Sequence, residues 1–225
     1  MKSKLTLLFL LIATSFFAQR TEESIKTKKI GTRTFTVITP PSYETNPEKK
    51  YPTLVLLDGE YLLDPFDGVL KYGNYWDDLP EILIIAINQN YGETRFLDSE
   101  FDDAGFPSGS GASFFEFIGQ ELYPYIESKY RTLPFRIIAG HDTTAGFLNF
   151  YLYKDNPVFS AYISLAPEMA PEMETRVADR LAKISKALSL AASSSLTGMK
   201  ALMPPIAWAP RLWQVRTTCA AYLAM

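Results

Sequence analysis

One run in this chain combines residue types that do chemistry with a local pattern able to present them. Residues 135–146 (FRIIAGHDTTAG) open as an apolar, β-branched run and turn at Gly140-His141-Asp142-Thr143-Thr144. They continue into a helical pattern carrying Phe147, Phe150 and Tyr151. Strand, sharp turn and helix form the bend that, in the pattern G-x-S-x-G, lifts a nucleophile above the edge of a sheet. Here Asp142 stands at the serine position and Thr144 at the second glycine. Asp accepts positive φ better than most residues, so it fits a tight bend. The backbone N–H just after the bend, that of Thr143, is placed to donate to an oxyanion.

The residues leave three readings of Asp142 open. It caps the helix that starts near Thr143, its carboxylate bonded to backbone N–H groups. It lines a binding pocket at a degenerate nucleophile position. Or it is itself the nucleophile, carrying an ester that a histidine-activated water must then cleave. The third reading lacks a base. His141 is the sole histidine, and neighbouring strand residues face opposite sides. Its ring is therefore expected beneath the turn, hydrogen-bonded and unable to serve Asp142.

Other candidates are weaker. Asp98, Glu100, Asp102 and Asp103 form an acidic stretch that reads as a solvated loop, and Asp77-Asp78 reads the same way. Tyr72, Tyr75 and Trp76 could wall a cleft above a sheet, but core packing is the simpler reading. Gly109-Ser110-Gly111 is too short for a phosphate loop and reads as a turn. With one Cys (Cys219) and one His, a disulfide framework and a His/Cys metal site are excluded. No metal or cofactor is expected.

The elements that must position Asp142 follow from hydrophobic patterning. Residues 34–39 (TFTVIT) read as a strand ended by Pro40-Pro41. Continuous apolar runs at 53–57 and 82–87 fit strands buried on both faces, with further strands at 135–139 and 161–165. Ser113 and Glu116 match a capping box. Phe114, Ile118, Leu122, Tyr125 and Ile126 then share a helix face that Pro124 should kink. Further helices are expected at 143–153 and 172–190. The stretch 88–111 is a long loop of the kind that is functional or carries short elements. The alternation predicts an α/β three-layer sandwich on a mostly parallel sheet.

Composition supports this and excludes much else. Of 225 residues, 47% are hydrophobic and 21% charged, which rules out disordered, collagen-like and coiled-coil chains. A net charge of −3 offers no basic surplus for a nucleic-acid partner.

The two ends differ from the middle. Lys2 and Lys4 precede an apolar run at 5–13, followed by Thr14, Ser15, Phe16, Phe17 and Ala18. This reads as a secretory signal peptide over residues 1–18, too short for a stable membrane span. The folded domain is expected over 19–185, secreted or periplasmic. The last acidic residue is Asp179, and the final 46 residues hold none. Residues 186–225 are thus an atypical tail, either a natural apolar extension or the product of a reading-frame shift near Ser185. Composition favours the shift.

Four segments carry a resemblance. They are 54–61 (LVLLDGEY), 109–118 (GSGASFFEFI), 121–132 (ELYPYIESKYRT) and 137–146 (IIAGHDTTAG). Together they resemble the esterase group of α/β-hydrolases that includes esterase D and the enterochelin esterases, over about residues 30–185. The resemblance implies an α/β-hydrolase fold, here lacking its C-terminal strands, and descent from carboxylic ester hydrolases. It implies a small ester or related ligand in the cleft. It places oxyanion donors near Glu60 and Tyr61, beside Thr143. It also puts the triad base and acid downstream, where this chain has neither a His nor, past Asp179, a carboxylate. Two functions follow: an exported ester hydrolase, or an esterase-like binding protein without turnover.

Overall fold

The computed structural model describes residues 20–89 and 92–202. The expected signal peptide, the end of the tail and Cys219 lie outside the described residues. The chain divides into two units, one ending at Glu174 and one starting at Thr175.

The first unit is built on a six-stranded sheet of order β1-β2-β4-β3-β5-β6. The strands are β1 (Arg20–Lys26), β2 (Thr32–Ile38), β3 (Tyr51–Leu56), β4 (Leu83–Ile87), β5 (Thr132–His141) and β6 (Ala161–Leu165). β4, β3, β5 and β6 run parallel, while β1 and β2 pair antiparallel along one side. Among the described residues no strand follows β6, which pairs on one side only. Five strands lie where the patterning places them. β1 gave no such signal, because RTEESIK is polar and only every second residue is half-buried.

Helices cover both faces. α1 (Gly59–Tyr75) follows β3, and α2 (Glu93–Asp98) lies in the long loop after β4. α3 (Gly109–Phe117), a π turn (Ile118–Leu122) and α4 (Tyr123–Lys129) precede β5. α5 (Thr143–Leu152) follows it, and α6 (Pro171–Leu202) begins after β6 and runs on into the second unit. Period-two alternation splits the central strands between two cores. Leu54, Leu56, Ile84 and Ala86 pack with Leu63 and Phe66 of α1. Val55, Leu83, Ile85 and Ile87 pack on the other face with Phe114, Phe117, Phe147 and Leu148 of α3 and α5. This is the expected sandwich.

Three local expectations are corrected. Ser113 caps nothing: α3 starts at Gly109, and the Ser113 hydroxyl donates to the Gly109 carbonyl at 3.4 Å. The helix starts early because Gly111 lets it approach the Glu100 backbone, where a Cβ would lie 2.2 Å from the Glu100 carbonyl oxygen. The irregularity expected at Pro124 falls one turn earlier, as the π turn, so that Pro124 enters the first turn of α4, where its missing N–H has no intrahelical acceptor to lose. Tyr72, Tyr75 and Trp76 are exposed, not core. They lie at the end of α1, remote from the strand ends where Asp142 stands.

Gly59 shows how closely α1 seats on the sheet. A Cβ there would lie 2.8 Å from the Ile87 carbonyl oxygen and 3.0 Å from Ala86 Cβ. Gly59→Ala is expected to destabilise the protein by about 1–3 kcal/mol, the usual cost of overpacking, as measured by urea unfolding.

Candidate active site

The parallel strands deliver their next residues to one edge. β3 leads to Asp58, β4 to Gln89, β5 to Asp142 and β6 to Ala166. Four non-glycine residues have positive φ among the described residues, and three of them are here: Asp58 (56°), Asp142 (59°) and Ala166 (46°). Such conformations cost on the order of 1–3 kcal/mol each and persist only where surrounding structure enforces them.

At Asp142 the enforcement comes from two sides. Its N–H donates to Leu165 O at 2.9 Å, and its carbonyl accepts from Gly146 N at 3.0 Å and Glu168 N at 3.1 Å. Gly146 must be glycine for this approach, since a Cβ there would lie 1.9 Å from the Glu168 carbonyl oxygen. With φ 59° and ψ −121°, Asp142 is outside the β-region that capping residues adopt, and its side chain caps no N–H. The capping reading is therefore corrected. The carboxylate points outward, 51% exposed, with Oδ2 3.6 Å from Arg95 Nη1. The Thr143 hydroxyl reaches Asp142 Oδ2 at 3.4 Å and Glu168 Oε2 at 3.0 Å. Its single hydrogen can serve one of these carboxylates at a time.

Beneath the bend lies a buried polar cluster centred on Asp58, which is 1% exposed. Its carboxylate accepts from Arg95 Nε at 2.6 Å, Arg95 Nη2 at 3.3 Å, Tyr61 OH at 3.0 Å and Thr144 Oγ1 at 2.5 Å. Its N–H donates to Gln89 Oε1 at 2.9 Å. Arg95 Nη2 also donates to the His141 carbonyl at 2.9 Å. Burial works against the Arg95 charge, but its bonds to Asp58 outweigh that and hold the guanidinium protonated. Burial, then the Asp58 charge, pushes the Tyr61 hydroxyl up to about 12, so it stays a neutral donor at ordinary pH.

His141 lies in this cluster, as expected from its place on the strand. Its Nδ1 is 3.1 Å from Tyr61 OH, with the two rings edge to face. Tyr61 gives its one hydrogen to Asp58, so the network assigns Nδ1 as the protonated nitrogen that donates to Tyr61. Thr144 fills the room opposite Gly140, where a Cβ would meet Thr144 Oγ1 at 2.8 Å. There it takes the His141 N–H at 3.0 Å while reaching Asp58.

The remaining sequence candidates fall as follows. Thr143 is the first residue of α5, so its N–H has no intrahelical acceptor. Glu60 is exposed in the first turn of α1. The Tyr61 N–H is taken by the Asp58 carbonyl at 3.2 Å, so its hydroxyl, not its backbone, faces the cluster. Asp98 does not belong to a solvated patch. It is fully buried against Arg33 Nη2 at 2.6 Å and Gln89 Nε2 at 3.5 Å, and ties α2 to β2. Among the described residues no three His, Cys, Asp or Glu side chains gather as metal ligands. Asp58, Arg95 and Glu168 belong to this candidate site by their contacts and were not singled out from the sequence.

Residues 28–222 match the family model described as "Putative esterase". The chain belongs to that esterase family. The esterase match runs through the acid-free stretch beyond Asp179. Solved structures of similar fold include an uncharacterised protein from Capnocytophaga ochracea, with 23% identity and a TM-score of 0.67 over 73% of this chain and 45% of that one. An IroE-like serine hydrolase from Shewanella oneidensis shares 24% identity, with a TM-score of 0.62 over 73% and 57%. Siderophore hydrolase EstA from Aspergillus nidulans shares 17%, with a TM-score of 0.59 over 73% and 63%. This esterase-family chain thus spans about half the length of the first two structures. A comparison with curated proteins finds no match. Among the described residues no helix is long and apolar enough to cross a membrane.

Burial of Asp98 has a measurable consequence. Desolvation outweighs Arg33 and Gln89 and raises its carboxyl from an ordinary 3.8 to about 6. Between those values the folded state binds more protons than the unfolded state, so this group's contribution to stability falls as pH rises through the window. Comparing unfolding free energies of wild type and Asp98→Asn across that pH range should show the slope in the first and its loss in the second.

Proposed function

We propose that this protein is an exported hydrolase that acts on a small carboxylic ester or related molecule at the Asp142 bend. One observation carries the reading: an outward carboxylate held at positive φ by backbone bonds from both β6 and α5. That placement suits a reacting group, because φ 59° with ψ −121° lies outside the left-handed helical region that surface turns use. Asp142 attacks the ester carbonyl, the alkoxide leaves and takes a proton from solvent, and water hydrolyses the resulting acyl anhydride to free the acid and restore the carboxylate. The Thr143 N–H is the nearest first-turn donor for an oxyanion, and Arg95 Nη1 lies 3.6 Å from the carboxylate it faces. Glu168, within reach of the same Thr143 hydroxyl as Asp142, is positioned to take a proton from an attacking water. Family membership and the hydrolase names of the structural neighbours support the reaction class.

A second reading rests on a specific observation. The sole histidine is held under the bend by Tyr61, so serine-type triad chemistry is not assembled here, and the cleft would then bind its ligand without turnover. One assay separates the two. The chain from Gln19 onward is offered a chromogenic short-chain ester, beside Asp142→Ala and Asp142→Ser. Hydrolysis that falls at least about 100-fold in Asp142→Ala supports the hydrolase reading. Wild-type hydrolysis no faster than the uncatalysed background would overturn it and leave the binding reading, and a catalysed rate unchanged in Asp142→Ala would overturn the role given to Asp142.

A further inference from the structure

A second hollow lies away from the bend. The loop at Phe106, α3 and the end of α5 line an open hollow of about 460 Å³, within the size range of small-molecule sites. Phe115, Phe150 and Tyr153 form its aromatic wall, and Phe106, 46% exposed, stands at its rim. The wall is braced from behind. Phe115 stacks on Tyr151 at 4.2 Å, and Phe150 meets Tyr153 edge to face at 6.0 Å and Phe101 at 6.4 Å. Rigid rings that are already packed lose little freedom when a flat ligand lies against them.

The charges around this wall do not balance. Glu116 lines the cavity, but its carboxylate is paired with Lys29 Nζ at 2.5 Å. Lys154 also lines it, exposed to solvent, with its ammonium over the Phe115 ring at 5.7 Å from the centroid. Among the described residues it has no carboxylate partner. The cavity therefore offers an aromatic surface and, at its mouth, a solvated cation with no carboxylate of its own. The carbonyl end of α5 would repel an anion placed there without such a cation.

We infer that this cavity is a binding site for a small aromatic carboxylate, its ring against Phe106 and its carboxylate on Lys154. The site is distinct from the Asp142 bend. Phe150 to Tyr153 lie about 10–15 Å further along α5 than Thr143, at 1.5 Å per residue. It does not depend on the hydrolase reading.

The test is calorimetric titration of the full chain with naphthoate and, separately, with naphthalenemethanol as its uncharged counterpart. Wild type is expected to prefer the acid by about tenfold, the size of one charge-assisted hydrogen bond. Lys154→Ala, at an exposed position, should erase that preference and leave the alcohol unchanged. Ala112→Trp, which fills the cavity, should abolish binding of both. Asp142→Ala should change neither. Absence of binding at millimolar naphthoate, equal affinity for acid and alcohol, or an unchanged preference in Lys154→Ala would overturn the inference. So would naphthoate binding that disappears in Asp142→Ala, which would move the site to the bend.

Discussion

The edge of this sheet is organised by one requirement: a fully buried carboxylate must be compensated. An isolated ionised Asp58 at 1% exposure would be prohibitively costly. The chain meets the cost by converging on it. Arg95 comes from the loop after β4, Tyr61 from α1 and Thr144 from α5. Each partner belongs to a different element, so satisfying Asp58 also fixes where those elements sit. The Arg95 guanidinium then reaches past Asp58 to the His141 carbonyl, the last residue before the bend. The position of Asp142 is thereby tied to a charge 84 residues earlier in the chain.

This cluster also explains how the bend departs from G-x-S-x-G. A threonine replaces the second glycine because its hydroxyl is used twice, on the Asp58 carboxylate and on the His141 N–H. Gly140 leaves it the space. The histidine that precedes the nucleophile position is structural: it links β5 to α1 through Tyr61. What remains outward is a carboxylate, a second carboxylate at Glu168 and a guanidinium nitrogen. The surface is polar, strained and fixed, whichever chemistry it carries.

Much of this was legible in the sequence, for identifiable reasons. Val55, Ile85 and their alternating neighbours made β3 and β4 visible because both faces are buried. Asp142 was visible because strand, turn and helix are contiguous there. β1 was not, since its alternation is polar against half-buried. Nor were Arg95 and Glu168, whose partners lie far off in sequence and whose own surroundings carry no periodic signal. The capping reading of Asp142, one of three the residues left open, fails for a related reason. Residue type favours capping, but the N–H and C=O bonds from Leu165, Gly146 and Glu168 that set its φ are long-range or lie in the next turn. The aromatic run Tyr72, Tyr75 and Trp76 misled in the opposite way. Side-chain type suggested the core, yet all three are exposed at the end of α1.

The central claim is that Asp58 and Arg95 act as one unit holding the bend. A double-mutant cycle of unfolding free energies tests it, using Asp58→Asn, Arg95→Met and the pair. The account predicts that each single change costs about 3–5 kcal/mol, as when one partner of a buried ion pair is removed, and that the double change costs much less than their sum. Strictly additive costs, or single changes with no effect on stability, would contradict it.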